Sequence, residues 1–275
     1  MTSREKIDLR GVKETLLITL YGKAGESRMP DSLLKDRFAA EVVERIDYDF
    51  SRLKMRRDDL VGLAIRAYRI DQWTRAFIDA HERAVVLHLG CGLDSRIFRI
   101  APPATVRWFD VDYPEVIALR RRLYPAQPEA TMIASSVTDP EWREHLPSAG
   151  PALIIAEGLL MYLSKAAVKD LLGALTRRMG EGELVFDGFN RLGARLAAAS
   201  RMVRATGATF GWTLESPREL ERLVPGLRLV EDTMIYDPAK TGQFARFSLP
   251  ARLAIHTMCL IPAFRRLGRL MRYRF

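Results

Sequence analysis

A run dominated by large apolar residues, Val85-Val-Leu-His-Leu89, closes on Gly90-Cys91-Gly92 and narrows the possible folds more than any other feature. A strand covered on both faces reads as a continuous apolar run. Glycine directly after it lets the backbone come within contact distance of a ligand. About twenty residues further on, a second apolar stretch ends in Trp108-Phe-Asp-Val-Asp112, where an acid is placed to accept hydrogen bonds from both hydroxyls of a ribose. Together these features point to a nucleoside cofactor held at the carboxyl ends of parallel strands. Ser95 occupies the position of the third glycine of a dinucleotide fingerprint, which argues against a nicotinamide oxidoreductase.

The pattern around this stretch is that of an α/β chain. Strands are expected near 84–89, 105–110, 130–134, 152–157 and 183–187, with helices near 93–100, 114–123, 140–146 and 164–179. Such alternation implies a Rossmann-like, doubly wound, mostly parallel sheet. Past Asp187 the expected order is helices near 191–206 and 216–224, a strand near 227–235 and a basic amphipathic helix near 249–268. Leu270-Met-Arg-Tyr-Arg-Phe275 alternates as an edge strand would. The first eighty residues read as helices. Apolar residues at helical spacing mark one from Leu33 to Ile46 and another from Asp58 to Ala80. The expected division is a helical cap over 1–80, serving as a substrate lid, and a cofactor-binding domain over 81–275 with a helical insert near 189–226.

Charge and cysteine usage exclude some classes. The 275 residues carry 43 Lys and Arg against 34 Asp and Glu, a net +9. That charge is spread along the chain, with only short clusters such as Arg120-Arg121-Arg122, so no nucleic-acid partner is expected. The most apolar piece, Leu253 to Pro262, is too short for a membrane span, and Met1 to Asp8 lacks the apolar core of a leader. Cys91 and Cys259 form neither a metal spacing nor a disulfide framework, so the cytoplasm is the expected compartment and no metal is expected.

In such sheets the ligand lies beyond the strand ends. These deliver Gly90 and Gly92, then Asp110 and Asp112, then Ser135-Ser136-Val137, then Glu157. A carboxylate after the apolar strand Ala152–Ala156 is costly to bury unless a cation or hydrogen-bond donor meets it. Glu157 is therefore either a structural ion pair or cap, or a partner for a cationic group of the cofactor. Tyr162 either orients an acceptor or packs as an aromatic. His88 is expected to pack in the sheet, and none of His81, His88, His145 and His256 has a visible partner, so no general base is assigned.

Several of these motifs resemble the leucine carboxyl methyltransferase family. They are Leu89-Gly-Cys-Gly-Leu-Asp-Ser-Arg-Ile-Phe-Arg99, Phe109-Asp-Val-Asp-Tyr-Pro-Glu-Val116 and Ala156-Glu-Gly-Leu-Leu-Met-Tyr-Leu163. Lys13-Glu-Thr-Leu-Leu-Ile-Thr-Leu20 and Leu34-Lys-Asp-Arg-Phe-Ala-Ala40 are similar to its branch of polyketide O-methyltransferases of the tetracenomycin type. The resemblance implies a class I methyltransferase that uses S-adenosylmethionine to methylate a carboxyl or hydroxyl oxygen of a small-molecule acceptor. The alternatives are a protein C-terminal carboxyl methyltransferase and a non-catalytic cofactor-binding protein.

The resemblance further implies that Gly90 and Gly92 lie against the cofactor, that Asp110 or, preferably, Asp112 binds the ribose, and that Ser136-Val137 flank the adenine. Glu157 would sit near the methionine portion and Arg66, with Arg69 as rival, would hold its carboxylate. Members usually carry glutamate at the position of Asp110 and often Asp-Leu at that of Ser136-Val137; Asp139 is an alternative adenine contact. Tyr21, Arg28 and Met29 in an N-terminal loop, and Phe189 to Trp212, are expected to close over the acceptor.

Overall fold

A computed structural model of the chain describes residues 5–6, 14–148 and 150–275. Lys13 of the amino-terminal motif lies outside the described residues. The elements run β1 (Glu5–Lys6), α1 (Thr15–Ser27), α2 (Arg37–Arg45), β2 (Ile46–Asp47), α3 (Arg57–Asp79), β3 (Ala84–Leu89), α4 (Arg96–Ile100), β4 (Val106–Asp112), α5 (Pro114–Leu123), β5 (Ala130–Ala134), β6 (Ala152–Ala156), α6 (Lys165–Met179), β7 (Gly182–Phe189), α7 (Arg191–Ala199), α8 (Arg201–Thr206), α9 (Pro217–Leu223), β8 (Arg228–Met234), α10 (Thr241–Phe244), α11 (Leu249–Cys259) and β9 (Gly268–Arg274).

Seven strands form one sheet in the order β5-β4-β3-β6-β7-β9-β8. The first five are parallel, and β9 runs antiparallel to both β7 and β8. The order reverses at β3, whose neighbours β4 and β6 send their carboxyl ends to either side of Gly90. That switch is where ligands bind in such sheets. The central strands are buried on both faces, as their apolar runs require. One core, with Leu87, Phe109, Ile154 and Phe186, lies under α6; the other face packs Ile70, Trp73 and Phe77 of α3 against Val86, Trp108 and Ile155. Helices α1 and α2 pack on α5 through Leu17, Leu20, Val116 and Leu119.

Several expectations need correction. Leu270–Phe275 is not at the edge: β9 is interior, because both its backbone edges are paired, and β8 takes the edge. The helix expected over 191–206 breaks at Ser200, whose extended backbone lets its hydroxyl cap α8 by accepting from Val203 N–H. The helix expected to 268 stops at Cys259, ahead of Pro262, which has no N–H to continue it. Residues 141–145 form a 3-10 turn rather than an α-helix. Strand β4 runs on to Asp112, so that acid is the strand's last residue. The helix expected from Leu33 begins at Arg37, where Asp36 accepts from Ala39 N–H, and a further helix, α1, precedes it.

α7 is seated backbone-to-backbone. A Cβ on Gly193 would lie 2.0 Å from the Leu267 carbonyl oxygen, so only glycine permits this approach. Gly193→Ala is expected to cost about 1–3 kcal/mol and lower the unfolding midpoint by roughly 3–10 °C in a thermal melt.

Candidate active site

A cavity of about 540 Å³ opens at the carboxyl ends of β3, β4 and β6, and its two ends differ in chemistry. One is lined by Lys23, Arg66, His88, Asp94, Asp112 and Glu157 around the Gly90-Cys91-Gly92 turn. The other is lined by Phe189 at the end of β7, by Leu196, Val203 and Phe210 beyond it, and by Ile235, Ile255, Met258 and Phe264 from the segment after β8.

The turn takes its shape from glycine. Gly90 and Gly92 have φ of +58° and +51°, which L side chains rarely adopt. A Cβ on Gly90 would come within 2.9 Å of Leu159 Cδ1. Asp112 closes the turn from the neighbouring strand: its Oδ2 accepts from Gly92 N–H at 2.7 Å and its Oδ1 from Tyr113 N–H at 2.7 Å. Burial raises the Asp112 pKa above the ordinary aspartate value, although the two N–H donors oppose the shift. No cation pairs with this carboxylate among the described residues, so it faces the cavity with acceptor capacity in hand.

Glu157 is in a different position. It follows β6 and is met by Lys23 Nζ at 3.4 Å, Arg66 Nε at 3.1 Å and the Arg96 guanidinium. Burial alone would raise its pKa, but Lys23, Arg96 and Arg66 outweigh that and hold it well below the carboxylate range. Arg66 in turn gives Nη1 to Asp187 Oδ2 at 3.0 Å, and Asp187 Oδ1 accepts from Gly158 N–H at 2.6 Å. The cluster continues inward. Arg96 reaches Asp71 at 2.7 Å and Asp94 at 3.3 Å, while Arg99 ties Asp36, Asp71 and Asp94 at 2.6, 2.8 and 2.8 Å. These buried charges are paired and hydrogen-bonded, as burial demands.

Of the residues singled out from the sequence, Arg66, Gly90, Gly92, Asp112, Glu157 and Tyr162 line the cavity. Asp110 does not. It lies one strand pair deeper, bonded to Arg120 at 2.7 Å, His88 at 3.1 Å and Trp108 Nε1 at 2.9 Å. Burial opposes its charge, yet Arg120 and then His88 bring its pKa down to about 2. Ser136 and Val137 are also outside the lining: Ser136 bonds Thr138 at 2.8 Å, and Val137 packs in the core. Arg69 pairs with Glu231 instead. Tyr162 stacks on Phe210, with centroids 5.4 Å apart, and both rings face the cavity.

The expected N-terminal lid residues are elsewhere. Tyr21 belongs to α1 and stacks on Phe50, Arg28 pairs with Glu44 at the surface, and Met29 packs near Val61. Phe189, Leu196 and Phe210 of the expected second lid do line the cavity. Sequence reasoning missed Lys23 and Asp187, whose partners are distant in sequence. It also missed the contribution of Ile255, Met258, Cys259 and Arg265. His88 is in β3 and lines the cavity, but its nitrogens meet Asp110 and Arg96, so it is not free to take a proton from an acceptor.

Comparison with known proteins identifies the family and supports the fold. The sequence model of the leucine carboxyl methyltransferase family matches residues 17–176. The chain is 44% identical over 272 residues to the tetracenomycin polyketide synthesis O-methyltransferase TcmP of Streptomyces glaucescens, covering 98% of this chain and 99% of that one. It is 33% identical to the S-adenosyl-L-methionine-dependent methyltransferase dpfgK of Gibberella zeae, over 87% of this chain and 88% of the other. Among solved structures, a Thermobifida fusca protein described as a methyltransferase superposes with a TM-score of 0.57 at 20% identity, over 92% and 93% of the two chains, which supports the fold. The chain belongs to the leucine carboxyl methyltransferase family and is an S-adenosylmethionine-dependent methyltransferase.

Proposed function

We propose that the chain methylates an oxygen of a small aromatic acceptor of the polyketide kind, with a carboxylate oxygen favoured over a hydroxyl. The observation that carries this reading is the single cavity with one charged and one apolar end. The charged end fits the cofactor. Gly90 and Gly92, both at positive φ, shape the turn that would lie against it, and Asp112, with no cation partner among the described residues, offers its carboxylate to a diol. Arg66 Nη2 has no hydrogen-bond partner among the described residues and would meet the cofactor's carboxylate. When bound, S-adenosylmethionine supplies a methyl group already activated by a positive sulfur.

The apolar end has aromatic walls, Phe189, Phe210 and Phe264, suited to a flat ring system. The described residues lining it include no carboxylate or imidazole, and Arg265 is a cation there. A carboxylate acceptor is anionic at neutral pH and needs no base, whereas a phenol benefits from one. Tyr162, whose hydroxyl burial keeps protonated, would orient the acceptor as a hydrogen-bond donor. Holding the reacting oxygen in line can supply roughly 7–11 kcal/mol of the barrier reduction. The 44% identity to an enzyme named for tetracenomycin polyketide synthesis supports the acceptor class. We also assign α1, α2 and the first half of α3 to a cap over the site. The two free cysteines accord with a cytoplasmic setting.

The test is incubation with cofactor and a panel of aromatic acids and phenols, followed by mass spectrometry. The expected product is a methyl ester that mild alkali cleaves. An alkali-stable ether would move the reaction to a hydroxyl, and no product across the panel would overturn the proposal.

A further inference from the structure

Helix α11 is apolar on two opposite faces, and only one of them has a partner. Ile255 and Met258 turn inward to the cavity, and Ala251 packs beside Phe244 and Phe247. At about 100° per residue, Leu249, Leu253 and, just past the helix end, Leu260 align on the far side, where the exposed His256, edge-on to Phe244, also falls. They are 63%, 60% and 76% exposed, and Ile261 beyond them is 50% exposed. A helix apolar all round is normally buried, yet no residue of α11 is buried. Nothing among the described residues covers the outer ridge.

The charge around this ridge is one-sided. From Pro238 to Phe275 the sequence has eight Lys and Arg and no Asp or Glu; Arg246, Arg269 and Arg272 pair with Asp31, Asp232 and Glu183, and Asp58 accepts from Ser248 at the start of α11, all away from the far end of the ridge. Arg252 lies on α11, and Arg265 and Arg266 lie on the turn that follows it. A second copy presenting the same face would bring like charges together, which suppresses pairing. Protruding leucines flanked by arginines instead match a helix that lies in a lipid–water boundary. No described helix is long and apolar enough to cross a membrane, so the contact would be peripheral.

We propose that α11 and the turn after it rest on an anionic lipid surface, with the outer leucines and Ile261 at the head-group boundary and Arg252 and Arg266 facing lipid phosphates. The same segment lines the cavity's apolar end through Met258 and Phe264. An apolar acceptor dissolved in the bilayer would then reach the site without crossing bulk water. The surface contact itself does not depend on which acceptor is methylated.

Sedimentation with vesicles tests it, comparing pure phosphatidylcholine with a mixture containing phosphatidylglycerol. The protein is expected to pellet with the anionic vesicles at low salt and to be released as salt rises. Leu253→Asp/Leu260→Asp should weaken binding roughly tenfold or more, and Arg266→Gln roughly fivefold. Leu253, Leu260 and Arg266 all lie outside the cavity lining, so binding of S-adenosylhomocysteine should be unchanged, which also reports that the variants are folded. Failure to pellet with anionic vesicles would overturn the proposal, as would equal pelleting of the double variant. A concentration-dependent dimer, or a complex with an acidic protein, that the same substitutions abolish would also overturn it by assigning the ridge to protein.

Discussion

Replacing Arg96 with methionine is expected to destabilise the fold by about 3–5 kcal/mol and lower the unfolding midpoint by roughly 10 °C. Arg96 has no solvent exposure, and its guanidinium touches Asp71, Asp94 and Glu157 together. Methionine fills much of the same volume but leaves three buried carboxylates short of a cation. Removing one partner of a buried pair costs more than the pair contributes, because the remaining charge stays desolvated.

The pH dependence gives this prediction a second readout. In the wild type, burial opposes ionisation of Asp94 and Glu157, yet nearby cations hold both well below the usual range. Their folded pKa values are thus lower than the unfolded ones, so the stability they add is present above about pH 4. It is lost as pH falls from there toward the folded values, with Asp110 following at about 2. In the Arg96→Met protein these carboxyls titrate higher, so protonation relieves the unpaired charge. Chemical denaturation across pH should show the gap between variant and wild type narrowing below about pH 4. A gap that is constant with pH would mean that lost packing, rather than charge, is responsible.

Asp112→Ala should weaken binding of S-adenosylhomocysteine by roughly ten- to a hundredfold, or about 1.4–2.7 kcal/mol, in calorimetric titration. Two losses combine. The cavity loses a carboxylate able to accept from a diol, and the Gly92 N–H loses the acceptor that fixes the turn. Asp112→Asn keeps an oxygen for one N–H and should fall between the two. Because burial raises the Asp112 pKa, wild-type affinity should begin to fall on acidification at a higher pH than for an ordinary aspartate. Unchanged affinity in the alanine variant would remove Asp112 from the cofactor site and leave the family assignment intact.

What could be read from the sequence was what local chemistry determines. Continuous apolar runs ending in Gly90, Asp112 and Glu157 marked β3, β4 and β6, and the structure brings those three residues to one cavity. Long-range partners could not be read in this way. Nothing near Glu157 announces Lys23, 134 positions earlier, as its partner. Asp110 and Asp112 share a face by alternation, yet Arg120 one helix later claims only the first. Leu270–Phe275 shows the period of a strand, but a period carries no record of which strands lie beside it. The ambiguity at α11 has the same origin, since apolar residues on both faces fit either a buried helix or one whose partner is not protein.

The position of β9 sets an order of events during synthesis. Strands β3 to β7 neighbour one another and can assemble as they leave the ribosome. β8 touches only β9 in the sheet, and β9 is translated more than thirty residues later. Until then β7 and β8 each present an open edge, the surface through which nascent chains aggregate. Holdase chaperones should therefore meet this polypeptide late, in the interval between the emergence of β8 and the insertion of β9.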